Sequence, residues 1–256
     1  MALPAAVAAL AGGAPCTPVW VNELGGVTCE VAHASGRRFI KWAPAGGRID
    51  LRAEAARLRW AAAYAPVPTV LDEGSDADGH WIVTAALPGR MAIAERWKRE
   101  PRTAVIAIGE ALRALHEALP VVGCPFTWRA AERVDRARCC VSVTDRATWH
   151  SDHQRLTTEQ AIRLLAQPPT VDKEVVCHGD TCAPNTLLSD DGRWSGHVDL
   201  GALGIADRWA DLAIATWSTT WNYAGDWEGL LLDAYGVEPD PERTRYYRLL
   251  WDLDPG

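Results

Sequence analysis

The sequence predicts an α+β protein in two lobes, an N-terminal antiparallel sheet with one helix followed by a mainly helical lobe. Short strand-like runs separated by Gly25-Gly26 and Ser35-Gly36 occupy about the first 85 residues. Apolar residues recur at helical spacing from residue 103 onward. Leu87-Pro88-Gly89 lies between the two patterns, and proline and glycine commonly end regular elements. We therefore expect an N-terminal lobe at 1–86 and a C-terminal lobe at 87–256.

The N-terminal lobe is expected to hold five strands and one helix. Runs rich in β-branched and aromatic residues, bounded by turn signals, predict strands at 19–21, 28–33, 37–42, 66–71 and 81–85. The helix is predicted at 51–63, where strong helix formers place Leu51, Ala55, Leu58 and Ala62 on one face. The first three strands, which are separated only by short glycine-containing turns, favour an antiparallel meander.

The C-terminal lobe begins with an amphipathic helix predicted at 103–119. Its apolar residues recur at helical spacing, and Pro120 ends the pattern; they are Val105, Ile108, Leu112, Leu115 and Leu119. Further helical patterns cover 206–219, 226–235 and 241–251. Between 175 and 198 short apolar runs alternate with turn residues, which predicts loops and a small hairpin.

Composition limits the classes of partner. A formal net charge of −7 and a pI near 5.5 argue against binding nucleic acid or an anionic membrane, and they suit a small cationic substrate. The Ala-rich start lacks the positive region of a signal peptide, and no segment approaches the roughly 20 apolar residues of a membrane span. Seven scattered cysteines predict neither a disulfide framework nor a zinc site. We expect a soluble cytoplasmic protein, as a monomer or a homodimer.

The most informative segment is HGDTCAPN at 178–185, followed by HVDLG at 197–201. It places Asp180, Asn185 and Asp199 within 20 residues. Phosphoryl transfer to a hydroxyl needs a carboxylate that orients the hydroxyl and accepts its proton, together with oxygen ligands for magnesium. This segment supplies the carboxylate and the magnesium ligands, because it has an Asp, an Asn five residues later and a strand that ends in DLG. This spacing predicts a kinase that uses ATP and Mg²⁺.

These two blocks resemble the catalytic and metal-binding segments of the aminoglycoside phosphotransferases, and the likeness continues through VTAALPG, ALRALHEAL and the C-terminal helices. The resemblance implies the bilobal protein-kinase-like fold, with HGD in place of HRD and DxG in place of DFG. It also implies Asp180 as catalytic base, Asn185 and Asp199 as metal ligands, and Asp211 as a buried acid that braces the catalytic loop. His178 is interpreted as a scaffold residue.

A nucleotide site is expected in the N-terminal lobe. A kinase needs a cation on the α- and β-phosphates and an acid on the neighbouring helix to hold that cation. Lys41 on a predicted strand and Glu54 on the predicted helix match this requirement. The glycine-containing turn at 23–31 would lie over the phosphates. Members of the family usually have a serine in this turn, and either Val27 or Thr28 occupies its place here. Thr28 would be able to donate a hydrogen bond to the phosphates. Residues 84–86, ending at Ala86, would hydrogen-bond adenine through backbone groups.

The acceptor is less well defined than the phosphotransfer machinery. Residues 226–256 carry eight acidic side chains against three arginines, which suits a polycationic amino sugar, and Asp252 and Asp254 are the best candidates for contacting it. Two features depart from many aminoglycoside 3'-kinases. The chain ends in LWDLDPG instead of DEFF, and Ala202 follows the DLG motif where arginine is common.

Three hypotheses for function remain open at this point. The first is ATP-dependent phosphorylation of an aminoglycoside hydroxyl that confers resistance, with the 3'-OH ahead of a streptomycin-type 3''-OH. The second is a kinase of another small amino sugar or amino alcohol. The third is a catalytically silent nucleotide-binding module, which Lys41, Asp180, Asn185 and Asp199 together disfavour. A metal-hydrolase site at His178 and Asp180 is disfavoured because no further histidines cluster with them in the sequence.

Overall fold

A computed structural model describes residues 3–22, 24–33, 36–140 and 146–254. The chain divides into two compact units, Met1–Pro88 and Gly89–Gly256. This division falls two residues after the predicted lobe boundary, and the functional roles given to the two lobes stay predictions. Glu23, Ser35 and the last two residues of the C-terminal tail lie outside the described residues.

The first unit contains a five-stranded antiparallel sheet with the strand order β1-β2-β3-β5-β4. Its strands are β1 (Cys16–Val21), β2 (Val27–His33), β3 (Gly36–Pro44), β4 (Val70–Ser75) and β5 (Gly79–Ala85). The predicted meander is present in β1, β2 and β3, and the sheet continues with β5 next to β3 and β4 at the edge. The prediction of a strand start at residue 66 is wrong, because β4 begins only at Val70. Pro66 and Pro68 have no N–H to contribute to a strand ladder.

Two helices accompany the sheet, α1 (Ala5–Ala11) and α2 (Leu51–Ala61). Helix α2 begins where the Asp50 side chain accepts a hydrogen bond from Ala53 N at 2.9 Å. Leu51, Ala55 and Leu58 are buried as predicted, but Ala62 is exposed because the helix ends one residue earlier. Helix α1 was not predicted, and it buries Val7 and Ala11 against the apolar side chains of β2 and β3.

The second unit is mainly helical, as the sequence predicts. Its helices are α3 (Glu95–Arg99), α4 (Pro101–Ala118), α5 (Ala130–Cys140), α6 (Thr158–Leu165), α7 (Trp209–Asn222), α8 (Glu228–Tyr235) and α9 (Pro241–Leu253). The apolar residues predicted for α4 and Leu119 just after it are all buried. Val105, Ile108 and Leu112 pack in a core to which α7, α8 and α9 also contribute. Among the described residues no helix is long and apolar enough to cross a membrane.

The described residues of the second unit also form five short strands: β6 (Arg90–Met91), β7 (Glu174–Cys177), β8 (Thr186–Leu188), β9 (Trp194–His197) and β10 (Gly204–Asp207). β8 and β9 form the predicted hairpin, and β6 extends it. β7 pairs with β10 in a separate two-stranded sheet that was not predicted. Two loops connect these sheets, and we call them the HGD loop (residues 178–185) and the DLG loop (residues 198–203).

Candidate active site

Strand pairing places the HGD loop and the DLG loop side by side. The HGD loop starts after Cys177, which pairs with Gly204, and it ends before Thr186, which pairs with His197. The DLG loop runs between the same two pairs, from His197 to Gly204. Residues that are about 20 positions apart in the sequence are thereby held next to one another.

Gly179 allows the two loops to touch. Its φ of +87° is in the region that favours glycine, and a Cβ atom built there would lie 2.3 Å from the carbonyl oxygen of Ala202. That carbonyl belongs to the DLG loop, whose backbone would have to move to admit a side chain. The glycine of the HGD motif is therefore a packing requirement between the two loops.

Gly179→Ala is expected to lower stability more than Gly123→Ala. Both glycines have a φ of +87°, so each substitution carries a backbone cost of about 1–3 kcal/mol. A Cβ at Gly123 meets no atom within 4 Å, whereas the one at Gly179 meets backbone. Urea unfolding of the two variants would measure the difference. Equal losses of stability would show that the loops do not depend on this contact.

Asp211, on the first turn of α7, braces the HGD loop. Its Oδ2 accepts hydrogen bonds from His178 N at 2.6 Å and His116 Nε2 at 2.9 Å, and its Oδ1 accepts one from Gly179 N at 2.9 Å. Thr181 Oγ1 adds a bond to the backbone oxygen of Asp211 at 2.7 Å. The side chain is fully buried. This geometry matches the structural role that the family resemblance implies.

The charge of Asp211 is stabilised although the side chain is buried. Burial alone would raise its pKa. The hydrogen bond and charge interaction with His116, the charge interaction with His178 and the bond from Gly179 N together outweigh burial, and the pKa of Asp211 lies below its usual value. The acid therefore acts as an ionised acceptor for several N–H groups of the loop.

His178 lies inside the second unit. Its side chain is fully buried, its Nε2 is 2.9 Å from the carbonyl oxygen of Val198, and its ring contacts the His197 ring edge-on at 5.3 Å. Burial lowers the pKa of His197 to about 3, so that ring is neutral at physiological pH. The position of His178 agrees with a scaffold role, since it joins the HGD loop to the DLG loop.

Asp180, Asn185 and Asp199 are brought together by the two loops. Asn185 Nδ2 donates to the backbone oxygen of Asp180 at 3.0 Å. Val198 N, next to Asp199, donates to the backbone oxygen of Asn185 at 3.0 Å. The Asn185 amide uses its nitrogen in the first of these bonds, so its oxygen is the end suited to a cation.

The electrostatics of this cluster depend on the two carboxylates. Burial, and then the negative charge of Asp199, raise the pKa of Asp180 above its usual value. Asp199 has a φ of +65°, and it is the one residue other than glycine with a positive φ in the described part of the chain. A strained backbone of this kind is more common at functional sites than elsewhere. The carboxylate of Asp199 and the amide oxygen of Asn185 can hold a hard divalent cation.

In the first unit, Lys41 and Glu54 form the predicted pair. Lys41 Nζ lies 2.6 Å from Glu54 Oε1, and the glutamate side chain is almost entirely buried. Thr28 on β2 stands directly opposite Lys41 on β3. The turn before β2 is closed by Asn22, whose Oδ1 accepts a bond from Gly26 N at 2.7 Å. Lys41, Glu54 and Thr28 are thus neighbours.

Ala86 and Asp254 have local contacts that narrow their predicted roles. The backbone N–H of Ala86 donates to Arg37 O at 3.0 Å, so in this conformation only its carbonyl could serve adenine. The Asp254 carboxylate forms ion pairs with Arg133 at 3.2 Å and Arg136 at 2.7 Å. This argues against a direct contact between Asp254 and a substrate, because its charge is already neutralised by two guanidinium groups.

Asp252 lies in a different environment from Asp254. Its Oδ2 is 2.6 Å from His153 Nδ1 and accepts a bond from His150 N at 3.1 Å. The His150 ring packs on Trp217 with centroids 4.5 Å apart. Sequence reasoning missed these partners, since they lie about 100 residues before Asp252 and in an unpatterned segment. It also missed Arg133, which has no sequence signal of its own.

The comparisons with known proteins agree with the geometry. The model of the phosphotransferase enzyme family matches residues 27–247. The aminoglycoside 3'-phosphotransferase of Streptomyces fradiae is 38% identical over 221 residues, which cover 81% of this chain and 81% of that protein. The streptomycin 3''-kinase of Streptomyces griseus is 37% identical over 256 residues, with 93% and 90% coverage.

Two solved structures share the fold over nearly their whole length. Aminoglycoside phosphotransferase APH(3'')-Id from Streptomyces rimosus has a TM-score of 0.80 at 32% identity, covering 97% of this chain and 96% of that one. An aminoglycoside-3'-phosphotransferase of type VIII has a TM-score of 0.84 at 30% identity, with 97% of each chain covered. The predicted fold class and the resemblance to aminoglycoside phosphotransferases are confirmed. The chain belongs to the phosphotransferase enzyme family.

Proposed function

We propose that the chain transfers the γ-phosphoryl group of ATP to a sugar hydroxyl of an aminoglycoside, and that this reaction confers resistance. The observation that carries the proposal is the juxtaposition of Asp180 and Asn185 on one loop with Asp199 on the next. The hydroxyl oxygen forms a bond to the γ-phosphorus while the bond between that phosphorus and the β,γ-bridging oxygen breaks. The products are a phosphate monoester, ADP and one proton.

Asp180 is the proposed base. It would accept a hydrogen bond from the acceptor hydroxyl, orient the oxygen towards phosphorus and take the proton as the new bond forms. Burial and Asp199 raise its pKa above the usual value, which makes its carboxylate a better proton acceptor. Asp211 supports this role because it accepts hydrogen bonds from the backbone N–H groups of His178 and Gly179, the two residues before Asp180.

Lys41 and Thr28 are the proposed contacts to the phosphates of ATP, in a lobe that would bind the nucleotide, and Glu54 is proposed to hold Lys41 in place. The short distance from Lys41 to Glu54 fixes the ammonium group on the sheet, as a cation for the α- and β-phosphates requires. Ala86 is proposed to meet adenine through its carbonyl oxygen. APH(3'')-Id, which shares this fold, was solved in complex with ADP and streptomycin.

Magnesium fits the donor set of the second unit. Asn185 and Asp199 are the proposed ligands, since Mg²⁺ prefers carboxylate and amide oxygens, and the backbone bond from Val198 to Asn185 holds their two loops together. When bound, the ion would neutralise charge on the phosphates during transfer. We propose that the reaction takes place in the cytoplasm, which supplies ATP and keeps the cysteines of the chain reduced.

The acceptor is proposed to be an aminoglycoside, a sugar with several amino groups. The 3'-OH is the first position to test and the 3''-OH is the second. Relatives of both kinds match the chain at 38% and 37% identity, so identity does not separate them. Asp252 remains the proposed acidic contact. Its carboxylate is held by His153 and by the backbone of His150, which would give it a fixed direction towards an ammonium group.

A panel assay would test the function. Release of ADP is measured with kanamycin, neomycin and streptomycin, and glucosamine and choline serve as acceptors from the alternative class. We expect magnesium-dependent turnover on at least one aminoglycoside and little on the two small amines, and NMR of the product would give the position of the phosphate. Turnover on glucosamine or choline alone would assign the chain to another amino sugar or amino alcohol.

A further inference from the structure

We infer that a cluster of three aromatic rings on the second unit recognises the acceptor, and that Trp221 determines specificity for a ring that carries amino groups. The cluster consists of His150, Trp217 and Trp221, and we call it the aromatic wall. The inference rests on the proposed function, since it takes an amino sugar as the acceptor. It assigns a contact to side chains that the proposed reaction does not yet use.

The three rings of the aromatic wall pack on one another at inclined angles. The centroid of the Trp217 ring lies 4.5 Å from that of His150 and 5.2 Å from that of Trp221, with interplanar angles of 61° and 47°. These distances are typical of favourable aromatic pairs. Trp217 is buried, whereas Trp221 is 47% exposed and the His150 side chain is 32% exposed. One buried ring therefore supports two rings that have free surface for a ligand.

Both ends of the aromatic wall are held in place. Trp217 and Trp221 are four residues apart on α7, so they lie on the same side of that helix. At the other end, the backbone N–H of His150 donates to Asp252 Oδ2 at 3.1 Å. His153 Nδ1 lies 2.6 Å from the same oxygen, and the His153 ring is 5.9 Å from the Trp217 ring. The carboxylate that is proposed to meet an ammonium group thus also anchors the wall.

The aromatic wall lies next to the HGD loop. Ser218 Oγ on α7 accepts a hydrogen bond from Ala183 N at 2.8 Å, and Ala183 is three residues after Asp180. Residues three apart on a helix are neighbours, with Cβ atoms roughly 5–6 Å apart, so Trp221 is a neighbour of Ser218. A ring that stacked on Trp221 would therefore lie close to the loop that carries the proposed base.

An exposed indole suits an amino sugar for two reasons. Its π face attracts a cation that lies within about 6 Å of the centroid, and its flat apolar surface can cover the C–H groups of a sugar ring. The wall already engages one cation, since the guanidinium carbon of Arg248 lies 5.4 Å from the Trp217 centroid. Trp221 would engage a cation of the acceptor, and Asp252 would meet a second one. Together they would select a ring with several amino groups over a small amine such as choline.

Trp221→Phe and Trp221→Leu would test the inference on the full-length chain. The two substitutions remove similar volumes, but only phenylalanine keeps a π face. With the best aminoglycoside acceptor, we expect Trp221→Leu to raise the KM for the acceptor about five- to thirtyfold, the upper part of the range for a cation–π contact, and Trp221→Phe to stay within about threefold of wild type. The KM for ATP should not change in either variant.

Tyr64→Leu is the matched control. Tyr64 is 46% exposed and packs on Trp60, four residues earlier, with centroids 5.1 Å apart and an interplanar angle of 51°. It therefore repeats the pair of Trp217 and Trp221 in the first unit, and its loss should leave the KM for the acceptor unchanged. Urea unfolding of each variant measures any loss of folded protein.

Three results would overturn the inference. The first is a KM for the acceptor within about twofold of wild type in Trp221→Leu, which is less than a cation–π contact contributes. The second is an equal rise in Trp221→Phe and Trp221→Leu, because the π face would then have no part in recognition. The third is a rise of the same size in Tyr64→Leu.

The proposed function can fail independently of this inference. A wild-type chain that transfers phosphate to no aminoglycoside would contradict the proposed function. Calorimetric titration with kanamycin and streptomycin then tests the aromatic wall by binding alone. Tighter binding to wild type and Trp221→Phe than to Trp221→Leu supports the wall as a recognition surface, and equal binding to all three, or binding to none, overturns it.

Discussion

Asp180→Asn is expected to lower kcat by about 10²–10⁴-fold, the range for loss of a general base. Asparagine keeps the size of the side chain and can still accept a hydrogen bond, but it cannot take a proton at neutral pH. The backbone oxygen of Asp180, which accepts from Asn185 Nδ2, is unchanged by the substitution. The KM for ATP should stay near the wild-type value, because the proposed phosphate contacts belong to other residues.

Asp190→Asn is the matched control for this experiment. Asp190 is an exposed carboxylate in the turn between β8 and β9, ten residues along the same segment. The same chemical change there should leave kcat unaltered. Steady-state ADP release with the best acceptor measures both variants. If Asp180→Asn kept a kcat within tenfold of wild type, another group would have to be the base.

The spacing of polar residues made the candidate site predictable. Asp180, Asn185 and Asp199 follow a pattern that few functions other than phosphoryl transfer require. The apolar period of α4 was equally informative, because one buried face leaves a repeating signal along the helix. In both cases the information lies within about 20 consecutive residues, so a single sequence is sufficient to detect it.

Contacts between distant segments could not be predicted in the same way. The pairing of β7 with β10 joins residues about 30 positions apart, and four-residue strands carry too few side chains to show alternation. The ion pair from Arg133 to Asp254 spans 121 residues, and neither residue has a local pattern. Such contacts depend on the packed tertiary structure. Sequence reasoning therefore gave Asp254 a substrate role, whereas the structure shows an anchored carboxylate.

Asp211→Asn is expected to cost about 1–3 kcal/mol of stability, the range for leaving a buried hydrogen-bond donor without an acceptor. Oδ2 of Asp211 accepts from two donors and Oδ1 from a third. Asparagine has only one oxygen, so its NH₂ must face Gly179 N or the pair of donors at His178 and His116. At least one buried N–H is then left without an acceptor.

Asp135→Asn provides the control. Arg138 Nη1 lies 3.0 Å from Asp135 Oδ1, close to the 2.9 Å between His116 Nε2 and Asp211 Oδ2, but the side chains of Asp135 and Arg138 are both largely exposed. An exposed pair contributes about 0–1 kcal/mol. Urea unfolding at pH 7 compares the two variants, and equal losses would contradict the bracing role of Asp211.

Acidification supplies a second test of the role of Asp211. The pKa of Asp211 is lowered in the folded state, so its charge stabilises the fold fully above the unfolded pKa of about 3.9. That contribution is lost as the pH falls through the folded pKa. The stability difference between wild type and Asp211→Asn should therefore be constant from pH 7 to about pH 5 and shrink at lower pH. A difference that persisted undiminished below pH 3 would show that the Asp211 charge is not what holds the HGD loop.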